Sequence, residues 1–134
     1  MKTNPLEAQV RHLPGMSIVD LQGDVDGDAE SVLARAYAEA VRQGAMSIVL
    51  NFASTDYINS KGIALIVVLL RRAMAQGRRL LACGLSDHYR EIMEVTRLSD
   101  YIRICAREDG AIAEVRPLVE AAAVASQERQ TETH

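Results

Sequence analysis

Residues 47–83 read SIVLNFASTDYINSKGIALIVVLLRRAMAQGRRLLAC, and the reading of this stretch decides the fold. Ser47–Phe52 is short and mainly apolar, as a parallel strand buried on both faces should be. Polar residues then dominate Ala53–Asn59, which predicts a loop. A helix follows from Ser60 or Lys61 to Gln76, and Gly77 stops it. Arg79–Cys83 is a second short apolar run and reads as the next strand. Strand, helix and strand in this order form a crossover unit, which joins parallel neighbours with a right-handed connection.

Upstream, Leu6–Leu13 and Met16–Gln22 flank Pro14-Gly15, a turn signal, and predict an antiparallel hairpin. Asp28 is placed to cap a helix from Ala29 to about Gln43, whose Val32, Leu33, Ala36, Tyr37, Ala40 and Val41 share one face. Downstream, Ser86 caps a helix over Asp87–Thr96, Tyr101–Cys105 is a last strand, and Asp109 opens a final helix carrying Ile112 and Val115. Pro117 lacks an amide hydrogen and is expected to break or kink that helix. The predicted class is α/β: a mixed sheet, with an opening antiparallel hairpin and then parallel strands, covered by about four helices. Residues 1–116 are expected to form one domain. Residues 117–134 are expected to be an extension, helical again at Ala121–Ala125 and loosely polar from Ser126.

Composition narrows the function. The 134 residues are 49% apolar, enough for a core of one domain and against disorder. The net charge of −3 gives no broad basic field for phosphate backbones, and the absence of Trp with one Phe leaves few stacking platforms. Nucleic acid is therefore not an expected partner. Arg71, Arg72, Arg78 and Arg79 read as the solvated C-terminal end of a helix, where the dipole suits cations. Cys83 and Cys105 both end apolar runs and are expected to be buried free thiols. The N-terminus has no apolar signal core, and the run Ile63–Leu70 is too short to span a bilayer. These features predict a cytoplasmic protein with no membrane insertion.

Catalytic signatures are missing: there is no Gly-rich phosphate loop, HExxH, CxxC or G-x-S-x-G. Asp24, Asp26 and Asp28 alternate like metal ligands, but no glycine and distal Glu complete a calcium loop, so capping and loop solvation explain them. An enzyme is not expected, nor a metal or other cofactor. The segment that stands out is Thr55–Ile63, where a strand hands over to a helix. Ser60 there is read as the helix cap, and also as a hydroxyl that phosphorylation would turn into a switch. A phosphate at a helix N-terminus meets free amides and the positive end of the dipole. It also adds about −1.5 to −2 charge at one point. The helix behind Ser60 is apolar almost all round, so its first turns are either packed or offered to a partner protein.

Gly23-Asp24-Val25-Asp26 is similar to a Gly-Glu-Leu-Asp element, and Asn59-Ser60-Lys61-Gly62-Ile63 to Asp-Ser-Ser/Thr-Gly-Leu. Val95-Thr96-Arg97-Leu98 is similar to a Thr-Gly-Leu ending. In this order and spacing, from about Val10 to Val115, the sequence resembles the STAS domain in its anti-sigma-factor antagonist branch. The resemblance implies a regulatory module without its own cofactor. Its partners would be an anti-sigma factor with serine kinase activity and a metal-dependent serine phosphatase. It implies Ser60 as phosphoacceptor, with Asp26, Asn59, Lys61, Gly62 and Ile63 forming the switch and partner surface. Asn59 stands where the family usually has Asp, and Lys61 where it has a small hydroxyl residue. The alternative is a STAS scaffold or lipid-transport accessory subunit that uses the same surface constitutively, without phosphorylation.

Overall fold

The computed structural model describes residues 4–132, with side chains as far as Ala125. Five strands lie in sequence order: β1 (Glu7–Leu13), β2 (Met16–Val25), β3 (Ser47–Ile58), β4 (Arg79–Cys83) and β5 (Arg103–Cys105). β1 and β2 are antiparallel, and the remaining neighbours are parallel. Four helices connect or follow them: α1 (Glu30–Arg42), α2 (Ser60–Ala75), α3 (Asp87–Val95) and α4 (Glu108–Glu132). This is the mixed sheet and helical cover that the sequence predicts. Pro14-Gly15 closes the hairpin as expected, with Gly15 at φ +72, a conformation that suits glycine.

Alternation along the strands divides the core in two. Val19, Leu21, Ile48, Leu50, Leu80 and Ala82 face α1, α2 and α3 in the larger cluster. Ile18, Val49, Leu81, Cys83 and Cys105 face the other way and pack against Ala111 and Val115 of α4. The central strands are thus covered on both sides, which is why they read as unbroken apolar runs. Each fully buried Leu, Ile or Val contributes about 1.5–3 kcal/mol. Both cysteines are free and buried. Burial pushes the Cys83 thiol up to about 11 and raises Cys105 as well, so neither forms a thiolate readily at neutral pH.

Four local expectations need correction. Ala53–Asn59 is not a loop: β3 runs on to Ile58, pairing Ser54, Thr55, Tyr57 and Ile58 with Gln22, Gly23, Asp24 and Val25. Two register irregularities in this stretch let polar residues meet solvent while Ile58 turns inward. Asp28 does not cap α1. It lies in a 3₁₀ turn, Gly27–Ala29, which Asp26 caps by accepting the Asp28 amide at 3.0 Å. The last strand is only Arg103–Cys105, because a second 3₁₀ turn at Leu98–Asp100 takes up the approach. Pro117 does not break α4. It sits on the exposed side beside exposed Ala113, so the carbonyl that loses its helical donor can turn to water. α4 remains in contact with the body of the fold beyond that proline, since Val119 packs against the second core cluster and over Gly15.

A charged network ties the edge strand to α4. Arg11 of β1 donates to Asp20 at 2.8 Å and to Glu108 at 2.7 Å, and Asn51 donates to Asp20 at 2.9 Å. The bonds from Arg11 hold both carboxyls below the ordinary carboxylate range. A carboxyl depressed by folding stabilises the fold above its unfolded value, near 4, and that contribution is lost as pH falls through the folded value. The melting temperature is therefore expected to drop between neutral pH and pH ~3, and Arg11→Met should flatten the drop while lowering stability at neutral pH. Circular-dichroism melts across that range test this, and an unchanged pH slope in the variant would contradict it.

Candidate functional site

The sequence elements singled out above meet where β2 and β3 end. Val25 and Ile58 are paired there, and the Val25 carbonyl accepts the amide of Asn59 at 3.1 Å. Asn59 is extended, with φ −95 and ψ −178, and forms the N-cap of α2: its Oδ1 accepts the Gly62 amide at 2.9 Å. Its carbonyl accepts the Ile63 amide at 2.9 Å. Gly62 is pressed against the same Val25 carbonyl, where a Cβ would stand 2.0 Å from the oxygen. No side chain fits there, so glycine is required for the helix to start this close to the sheet.

The cap is thus Asn59 and not Ser60. Either residue type can accept from helical amides, but Asn59 is one position earlier, where the backbone is still extended, and it alone does so here. Ser60 is the first helical residue, exposed, and its hydroxyl has no hydrogen-bond partner among the described residues. The amides of Ser60 and Lys61 likewise have none there. Lys61 is exposed and lays its aliphatic stem over Gly27, where a Cβ would come within 3.2 Å of Lys61 Cδ. Asp26 heads that 3₁₀ turn, whose Gly27 lies under Lys61 at the start of α2. Ile63 is half-buried and packs on the larger core, so it supports the surface rather than forming it.

α2 buries Ile66, Leu69, Leu70 and Ala73 against the sheet. Ser60, Lys61, Ala64 and Val68 remain exposed along the other side, with Val68 48% accessible. Tyr57, at the end of β3, is 52% accessible and was missed in sequence because its segment reads as a loop. The alternation of outward Tyr57 with inward Ile58 is the signal that was there to find. Gly27 was also missed, since its role depends on Lys61 passing over it. Among the described residues, no three His, Cys, Asp or Glu side chains converge as a metal site.

Comparison with known proteins places the chain in a family. The STAS domain family matches residues 7–111. The chain belongs to the STAS domain family. A relative from Bordetella bronchiseptica, BtrV, is named as a candidate anti-sigma factor antagonist. It is 27% identical over 101 residues, which cover 75% of this chain and 87% of BtrV. The solved anti-sigma factor antagonist SpoIIAA in its unphosphorylated form shares the fold with a TM-score of 0.62 at 24% identity, covering 81% of this STAS chain and 97% of SpoIIAA. Bacillus SpoIIAA in its phosphorylated form matches with a TM-score of 0.63 at 23% identity, covering 81% and 98% of the two chains. A sulfate transporter family protein from Wolinella succinogenes has the same fold with a TM-score of 0.71 at 18% identity, over 82% of this chain and 93% of that one.

The reassigned cap separates two substitutions. Asn59→Ala should cost about 0.5–2 kcal/mol of stability in urea unfolding, whereas Ser60→Ala should stay within about 0.5 kcal/mol. The reverse order would return the capping role to Ser60. Gly62→Ala should cost more than either, since the added methyl overlaps a backbone carbonyl that is also bonded to Asn59.

Proposed function

We propose that this STAS domain is an anti-sigma-factor antagonist whose docking surface, at the start of α2, is switched by phosphorylation of Ser60. The observation that carries the reading is the uncommitted Ser60 hydroxyl, exposed on the first turn of a helix whose cap is supplied by its neighbour. Modification at that oxygen leaves the cap intact, so the fold tolerates a phosphate. The name of BtrV supports the same role. Exposed Ala64 and Val68, on the same side of α2, offer an apolar strip on which a partner protein can rest.

In the proposed cycle the unmodified chain holds an anti-sigma factor and so releases a sigma factor in the cytoplasm. The anti-sigma factor is also a serine kinase: Ser60 Oγ attacks the γ-phosphorus of its ATP, ADP leaves, and the hydroxyl proton passes to a base of the kinase. A serine phosphatase restores the hydroxyl by hydrolysis. The ATP and metal belong to those partners, and this chain supplies the acceptor. The new dianion would be stabilised in place by the open amides of Ser60 and Lys61, the helix dipole and the Lys61 ammonium. For the docked partner it is a charge to be desolvated at the centre of the contact. The second reading is a constitutive STAS scaffold or transport accessory subunit, to which the Wolinella transporter-family structure lends the fold.

Ser60→Asp places a carboxylate where the phosphate would be. It should keep wild-type stability and weaken binding to the cognate anti-sigma factor at least ~10-fold, while Ser60→Ala should bind like wild type and accept no phosphate. Calorimetric titration of the three proteins decides the matter. Equal affinity of all three, with co-purification of a transporter ATPase in place of a kinase-like anti-sigma factor, would favour the constitutive reading.

A further inference from the structure

β1 lies at the edge of the sheet, seven residues long, with no proline or lysine and no irregularity in its pairing with β2. Prolines, bulges and charged side chains usually guard natural edge strands; on β1 the charges are Glu7 and Arg11, and its outward backbone groups remain a template for another strand. The two-residue turn makes Leu13 and Met16 a hydrogen-bonded pair, so the bonds to β2 alternate from there. Leu13, Arg11, Gln9 and Glu7 therefore turn their backbone groups to β2, and His12, Val10 and Ala8 turn theirs outward. Among the described residues no backbone group bonds to those three from outside.

We propose that β1 pairs antiparallel with β1 of a second copy, joining two sheets into one across a two-fold axis at Gln9. In that register Ala8 and Val10 exchange backbone bonds with Val10 and Ala8 of the second copy, so the outward groups meet outward groups. On the face that carries α4, Glu7 falls opposite Arg11 of the second copy, twice, adding a carboxylate beside the Asp20 and Glu108 already bonded to that guanidinium. Shifting the axis to Ala8 or to Val10 loses this match, since Glu7 then faces Gln9 or Leu13. On the other face, a groove of about 270 Å³ runs between β1 and α1. Its apolar wall is formed by Leu6, Ala8, Val10, Val32 and Ala36, with Glu7, Arg35 and Glu39 also lining it. The two-fold axis brings the two grooves together and runs the two α1 helices antiparallel. The self-complementary charges and the matching outward groups argue for a second copy rather than a foreign strand.

Sedimentation velocity from low to high micromolar concentration, with amide hydrogen exchange on the same samples, tests the proposal. The wild type should pass from monomer to dimer, and the amides of Ala8, Val10 and His12 should become protected only in the dimer. Glu7, Gln9 and Arg11 should be protected throughout. Glu7→Arg puts like charges opposite Arg11 and should weaken the dimer at least ~10-fold. Ala8→Pro removes one outward amide hydrogen, which an edge strand tolerates, and should leave a folded monomer. A wild type that stays monomeric, a dimer that neither variant weakens, or edge amides protected only after another protein is added would overturn it.

Discussion

The carbonyl of Val25 fixes how α2 sits on the sheet. It accepts the Asn59 amide and lies against the α-carbon of Gly62, so the end of β2, the end of β3 and the first turn of α2 converge on one oxygen. A side chain at position 62 would force the helix outward, opening the contact between α2 and the 3₁₀ turn over which Lys61 passes. The exposed position of Ser60 follows from the same constraint: with Gly62 turned to the sheet and Asn59 bonding its amide, the residue between Asn59 and Lys61 is left on the outside.

The sheet separates this surface from the second core. α1, α2 and α3 cover one face, while α4 covers the other, and the Arg11 network holds α4 to the edge strand. The charges of that network are engaged with one another, and the thiols on the α4 face are buried and hard to ionise. The proposed switch lies away from both, at the end of the sheet where Asn59, Ser60 and Lys61 stand. The proposed switch would change the charge of this surface without rearranging the fold, because the cap and the Gly62 contact do not involve the Ser60 hydroxyl.

Much of this was legible in the sequence where local chemistry decided it. β4 has the predicted bounds, Arg79–Cys83, because a short apolar run between polar residues has one reading in an α/β order. Ser86 caps α3 as expected, accepting the Tyr89 amide at 3.4 Å. The misses occurred where long-range contacts decided. The continuation of β3 depends on β2 reaching Val25 alongside it, which no window around Ala53–Ile58 reveals. The choice between Asn59 and Ser60 as cap turns on one residue of register, set by the Val25 contact. Pro117 is tolerated because it faces solvent, and its facing is a tertiary fact. Arg97 shows the same limit: it holds a left-handed φ of +67 where the resembling motif has glycine, with its guanidinium bonded to Asp100 at 2.8 Å.

The central claim is that one oxygen, Ser60 Oγ, governs partner binding. The most direct test is to phosphorylate the wild-type chain with its anti-sigma kinase and ATP, locate the phosphate by mass spectrometry, and titrate modified and unmodified protein against that partner. The account predicts a single phosphate on Ser60, an unchanged melting temperature, and affinity lower by at least ~100-fold in the modified protein. A phosphate on another residue, or equal affinity with Ser60 fully modified, would contradict it.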